Sequence, residues 1–153
     1  MKKKALILFF FICSLLSAPG CSFPRLIVLR DPLTPEEHLN LGVTYEQQGD
    51  FDNAIREYRR AAKNLPRANL YLGNAHFQKR EWKEAEDFYR KAIEAEPNNA
   101  DAHNNLAWLY YTRKEKLDQA ERLAQKAMEL NPAKRDVYRD TLEKIRELKK
   151  ASP

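Results

Sequence analysis

The chain has 153 residues, 43% hydrophobic and 32% charged, enough for one packed domain. Its formal charge of +5 comes from 27 basic against 22 acidic residues, and Lys2, Lys3 and Lys4 stand together at the very start. Elsewhere the two signs interleave at helical spacing, the pattern of solvated faces carrying i,i+4 pairs. A surface that tracks phosphates needs its basic residues gathered on one side, so nucleic-acid binding is not expected.

Residues 1–20 read as a targeting segment. The basic start leads into an apolar run over 5–16 that contains Phe9, Phe10 and Phe11, shorter than the roughly 20 residues a spanning helix needs. A cleavable secretory signal is the expectation; its loss takes 27 basic residues to 24 against 22 acidic ones. Ala18 and Gly20 ahead of Cys21 resemble the lipobox of bacterial lipoproteins. The resemblance implies that Cys21 is acylated on sulfur and becomes the first residue of the processed chain. Cys13 lies within the apolar run, so Cys21 would be the sole remaining cysteine of the two. Acylation accounts for an unpaired thiol in an oxidising compartment, and two acyl chains at about 0.8 kcal/mol per buried methylene anchor stably. Ser22 after the cysteine implies, by the same resemblance, the outer membrane of a bacterial envelope with the chain facing the periplasm. The alternative is an ordinary signal peptide that leaves Cys21 by chance.

Residues 21–33 read as a tether. Leu26, Ile27, Val28 and Leu29 lie between Pro24 and Pro32, which argue against helix. This aliphatic run is expected to cover the apolar side of the first repeat, or else to add a strand to a partner's sheet. Thr34, Pro35 and Glu37 then start a helix, with Thr34 and Glu37 in a capping box and Pro35 at the first helical position.

From here one pattern returns three times. Leu41, Gly42, Tyr45, Ala54, Tyr58, Ala61 and Pro66 are followed by Leu72, Gly73, Ala85, Tyr89, Ala92 and Pro97, then by Leu106, Ala107, Tyr110, Ala120, Ala124, Ala127 and Pro132. A period of roughly 34 residues signals a stacked repeat, not a globule around one cleft. The chain resembles the tetratricopeptide-repeat (TPR) family over about 34–150. The resemblance implies an all-α solenoid of three helix-turn-helix repeats, at 34–65, 66–99 and 100–133, closed by a capping helix at 134–150. Gly42 is expected to let paired helices approach opposite Ala54, while Gly49 and Asp50 end one helix and cap the next. Arg80 takes the place of a turn glycine, Trp82 and Phe51 plug the hairpin ends, and the segment joining the first two repeats is three residues short of the family pattern. The last helix is expected to bury Val137, Tyr138, Leu142, Ile145 and Leu148 and to expose Arg139, Lys144, Glu147, Lys149 and Lys150, as a terminal cap must.

Little points to chemistry. His38, His76 and His103 fall at packing positions with no i,i+4 pair for a metal. Glu84, Glu86 and Asp87 read as exposed. Four glycines and the lack of nucleophile-elbow or phosphate-loop motifs argue against an enzyme. No metal, cofactor or small-molecule substrate is expected. The family resemblance implies a concave groove lined by the first helix of each repeat: Asn40 and Val43, then Tyr71, Asn74 and Phe77, then Asn104, Asn105, Trp108 and Tyr111. Asparagine amides offer a donor and an acceptor to an extended backbone, and the aromatics offer anchoring pockets. The basic residues with which some family members grip a terminal carboxylate are replaced by neutral or apolar ones. The resulting expectation is a non-enzymatic, membrane-tethered adaptor that binds a peptide or helix of a partner protein. An accessory subunit of an envelope peptidase or cell-wall enzyme, and a self-association module, are the alternatives.

Overall fold

Helix α1, Pro35–Gln47, opens on a complete capping box: Glu37 N–H donates to Thr34 Oγ1 at 3.2 Å, and Thr34 N–H to Glu37 Oε2 at 2.7 Å. It is the first of seven α-helices that the computed structural model describes within residues 31–151. The others are α2 (Phe51–Ala61), α3 (Ala68–Gln78), α4 (Trp82–Ala95), α5 (Ala100–Arg113), α6 (Leu117–Leu130) and α7 (Arg135–Ala151). Among the described residues there is no strand, so the all-α expectation holds. The signal and acylation readings at 1–20 and Cys21, and the tether reading around Leu26 to Leu29, lie outside the described residues.

Local chemistry ends each helix. Gly49 takes φ +76° after α1, and Asp50 then caps α2 by accepting from Asn53 N–H at 3.2 Å. Asn99 caps α5 in the same way, accepting from Ala102 N–H at 3.0 Å. Arg80 takes the left-handed turn after α3 at φ 60°, and Lys114 and Lys116 do so between α5 and α6; side chains carry a steric cost there that glycine avoids. Helix α3 has no side-chain cap. Its entry tightens instead through i→i+3 bonds, Ala68 N–H to Leu65, Asn69 to Pro66 and Leu70 to Arg67, which absorbs the shortened connection.

The helices pair as α1/α2, α3/α4 and α5/α6, each pair packs on the next, and α7 lies against α5 and α6. Apolar residues at helical spacing on each element make the cores: Leu39, Ala54, Ile55, Tyr58 and Leu72 in the first, and Tyr89, Leu106, Leu109, Tyr110, Leu142 and Ile145 in the second. In the first core Ala54 is fully buried, and Gly42 faces the ring of Tyr58. A Cβ there would stand 2.5 Å from Tyr58 Cδ1, and one on Gly73 2.5 Å from Tyr89 Cε1. In the third hairpin, Ala107 occupies the glycine position and Ala124 the tyrosine position, both fully buried. With no ring at Ala124, the Ala107 methyl meets no such obstruction.

The cap departs from expectation at Val137, which is 62% exposed. Helix α7 buries Tyr138, Thr141, Leu142 and Ile145, spaced by three, one and three residues, so Val137 falls at the stripe's edge and Thr141 takes an inward place. Leu148 is half-buried. Polar contacts fasten the cap: Tyr138 hydroxyl to Asp101 at 2.9 Å, and Arg146 and Lys149 to Glu121 at 2.7 Å each.

Candidate functional site

The first helices of the hairpins, α1, α3 and α5, meet around a cleft of about 320 Å³. Asn74, Phe77 and Gln78 come from α3, Asn105 and Trp108 from α5, and Glu46 from α1, with Tyr89 of α4 closing the floor. An adjoining hollow of about 610 Å³ shares Phe77, Gln78 and Trp108 and adds Arg80, Trp82 and Thr112.

The amides of this cleft are held by the fold. Asn74 Oδ1 accepts from Asn105 Nδ2 at 2.9 Å and from the Tyr89 hydroxyl at 3.0 Å. That leaves Asn74 Nδ2 as a donor and Asn105 Oδ1 as an acceptor for an occupant. Phe77 stands edge-on to Trp82 with centroids 5.3 Å apart, and Trp108 tilts on Tyr111 at 4.9 Å. The Lys144 ammonium lies 5.5 Å from the Trp108 centroid and pairs with Asp140. Glu46 Oε2 accepts from the Tyr58 hydroxyl at 2.5 Å. Burial, and next the Glu46 carboxylate, push the Tyr58 phenol well above its usual range; burial and then the charge of Glu46 do the same for Tyr89.

Of the nine groove residues expected, the structure collects Asn74, Phe77, Asn105 and Trp108 around the cleft, with Tyr111 against Trp108. Asn40 is exposed and outside the lining. Val43 and Tyr71 pack on the first core, Tyr71 against Tyr58 with centroids 5.5 Å apart. Asn104 is half-buried, its Oδ1 enclosed without a partner. Glu46 was not anticipated, although its register betrays it: it stands four residues after Gly42, as Phe77 does after Gly73 and Tyr111 after Ala107.

The histidines have structural partners. His38 Nδ1 meets Glu57 Oε2 at 2.7 Å, His76 Nδ1 meets Glu81 Oε2 at 2.6 Å beside a stacked Phe88, and His103 Nε2 meets the Pro97 carbonyl at 3.0 Å. Burial would raise the Glu57 carboxyl, but bonds from His38 and Arg56 and the charge of Arg60 hold it below its ordinary value. Glu86 corrects the reading of an exposed acidic face. Only 14% of its side chain is accessible, and it takes Lys116 Nζ at 2.7 Å, the Tyr110 hydroxyl at 2.8 Å and Arg90 at 2.8 Å. Those bonds outweigh the effect of burial and depress its pKa. Among the described residues no cluster of three His, Cys, Asp or Glu side chains is placed to hold a metal ion.

Residues 39–100 match one tetratricopeptide-repeat family model and residues 88–122 a second. Human protein O-mannosyl-transferase TMTC2 is 32% identical over 101 residues, covering 62% of this chain and 12% of that protein. Human tetratricopeptide repeat protein 6 is 33% identical over 69 residues, covering 43% and 13%. The chain thus spans a small part of the curated relatives it matches. Among solved structures, the first TPR of Spaghetti (RPAP3) bound to the HSP90 peptide SRMEEVD has a TM-score of 0.69 at 20% identity, covering 78% of this chain and 96% of that one. MamA has a TM-score of 0.61 at 25% identity, covering 79% and 81%. The TPR2AB domain of yeast Sti1, in complex with an HSP90 peptide, has a TM-score of 0.69 at 23% identity, covering 75% and 47%.

Proposed function

We propose that this chain, whose residues 39–100 and 88–122 match tetratricopeptide-repeat models, is a non-enzymatic adaptor holding an extended peptide or a helix of a partner protein in the cleft between α1, α3 and α5. The observation that carries this reading is the Asn74–Asn105 pair, ordered at 2.9 Å beside Phe77 and Trp108. Amides already oriented by the fold lose little freedom on binding a backbone, and preorganisation of this kind favours affinity. Aromatic anchors beside them supply apolar area. Two structurally similar proteins bind HSP90 peptides, which supports the mode of binding without naming this chain's partner. In the same proposal, acylated Cys21 tethers the repeats to the membrane of a bacterial envelope, most simply the outer membrane facing the periplasm.

Affinity capture from solubilised membranes tests the adaptor, using wild type beside a Gln78→Ala, Trp108→Ala variant that melts within a few degrees of it. A partner lost with the variant supports the cleft; a partner retained refutes it. Asn74→Ala is unsuited to this test, because it removes the acceptor of the Tyr89 hydroxyl. The tether is tested by Cys21→Ser, which moves the protein from the membrane to the soluble fraction if Cys21 carries the anchor.

A further inference from the structure

The chemistry of the bound segment can be specified further, on the reading that the cleft holds a peptide. Of the side chains lining the cleft, Glu46 alone carries a formal charge. Its partner is the Tyr58 hydroxyl on Oε2, and among the described residues no lysine, arginine or histidine pairs with it. One carboxylate oxygen is therefore uncommitted in a half-buried setting, where a charge lacking a counter-charge is costly. The other lining groups favour the same sign of occupant. Phe77 and Trp108 carry π-faces that attract cations, Trp108 already drawing the Lys144 ammonium to 5.5 Å from its centroid, and the carbonyl oxygens of Asn105 and Gln78 accept hydrogen bonds. Arg80 lines the adjoining hollow and Lys144 is tied to Asp140, and neither pairs with Glu46.

We infer that the cleft selects a partner segment carrying a lysine or arginine side chain, whose cationic head sits against Glu46 beside the Asn105 and Gln78 carbonyls and the rings of Phe77 and Trp108. An acidic segment would bring like charge to Glu46, and a neutral one would leave the carboxylate without a counter-charge.

The test uses the full chain in detergent and four capped pentapeptides, Ac-Gly-Ala-Xaa-Ala-Gly-NH2, with lysine, arginine, norleucine or glutamate at the centre. Binding is followed by NMR at the Trp108 indole and the Asn74 and Asn105 side-chain amides. One ion pair and one cation–π contact in a partly exposed site predict lysine and arginine probes binding about fivefold tighter than norleucine. The glutamate probe binds weakest, and salt weakens only the cationic probes. In Glu46→Gln, whose side-chain carbonyl still accepts from Tyr58, the lysine preference falls to less than about twofold by the same reckoning. Norleucine binding as tightly as lysine overturns the charge selection and leaves the peptide cleft standing, as does a preference for glutamate. Failure of all four probes to move the cleft signals overturns both readings. The comparison of probes on wild type decides the matter even if the variant does not fold.

Discussion

Gly73→Ala sets two opposed effects against each other at one position. In a helix interior alanine is favoured over glycine by about 1 kcal/mol. The added Cβ, however, would lie 2.5 Å from Tyr89 Cε1 and 3.1 Å from Cγ. The ring cannot step aside easily: Tyr89 is 2% exposed and its hydroxyl is bonded to Asn74 at 3.0 Å. Overpacking of this kind costs about 1–3 kcal/mol, so the net expectation is a loss of about 1 kcal/mol and a Tm lower by roughly 5 °C. Urea denaturation followed by circular dichroism measures it. The decisive comparison is with the Tyr89→Ala background, where the obstructing ring is gone and the same substitution should become stabilising by up to about 1 kcal/mol. The third hairpin already has this arrangement, with Ala107 and Ala124 at the two positions. If Gly73→Ala changes stability equally in both backgrounds, the glycine is not there for the ring and the reasoning fails.

Arg80→Gly should raise stability by about 1 kcal/mol, because φ 60° carries a steric cost for an arginine that glycine avoids; a lower Tm would show that the arginine side chain contributes more than its backbone costs. Glu86 is held below its ordinary carboxyl pKa in the fold, so its contribution is present above the unfolded value and lost as pH falls through the folded one. Glu86→Gln is expected to lower stability at pH 7 by about 1 kcal/mol and to flatten the decline below pH 5, and parallel pH profiles for both proteins would refute this. Ile145→Ala removes a fully buried side chain that fastens the cap; a loss of about 2–4 kcal/mol is expected in denaturant titrations, whereas a loss under 1 kcal/mol would mean that α7 is not part of the cooperative unit. Asn74→Ala strands the Tyr89 hydroxyl and should cost about 1–3 kcal/mol, with Asn74→Asp retaining most of the stability.

What was legible in advance is mostly local. The capping box at Thr34 and Glu37 spans three residues, and Asp50 reaches Asn53 across the same interval, so both depend on chain geometry alone. The recurrence of Gly42 and Gly73 with Tyr58 and Tyr89 sixteen residues later is also sequence-visible, because a hairpin of fixed length returns the chain to the same height. The departures arise where distance along the chain is large. Glu57 sits between Arg56 and Tyr58 like any solvated glutamate, yet its partner His38 lies nineteen residues away and the pair is buried. Glu86 belongs to a run of acidic residues, but Tyr110 and Lys116 arrive from the next hairpin and enclose it. Val137 is apolar, but helix α7 has one docking surface, and its angle is set by Tyr138 and Ile145.

The candidate site divides in the same way. The repeat period placed Asn74, Phe77, Asn105 and Trp108 on first helices within about a turn of Gly73 or Ala107, which the 3.6-residue turn makes a matter of counting. Which of them share a cleft depended on the stacking of one hairpin on another, including the tightened entry to α3 after Pro66. Only that stacking joined Asn74 to Asn105 across thirty-one residues, engaged the Asn74 carbonyl with Tyr89, and brought Glu46 into the lining. The sequence alone therefore determined the helices, their caps and the repeat, because these follow from interactions within one or two turns of chain. The composition and charge of the cleft were decided by tertiary structure, because contacts between hairpins depend on packing angles that no local pattern encodes.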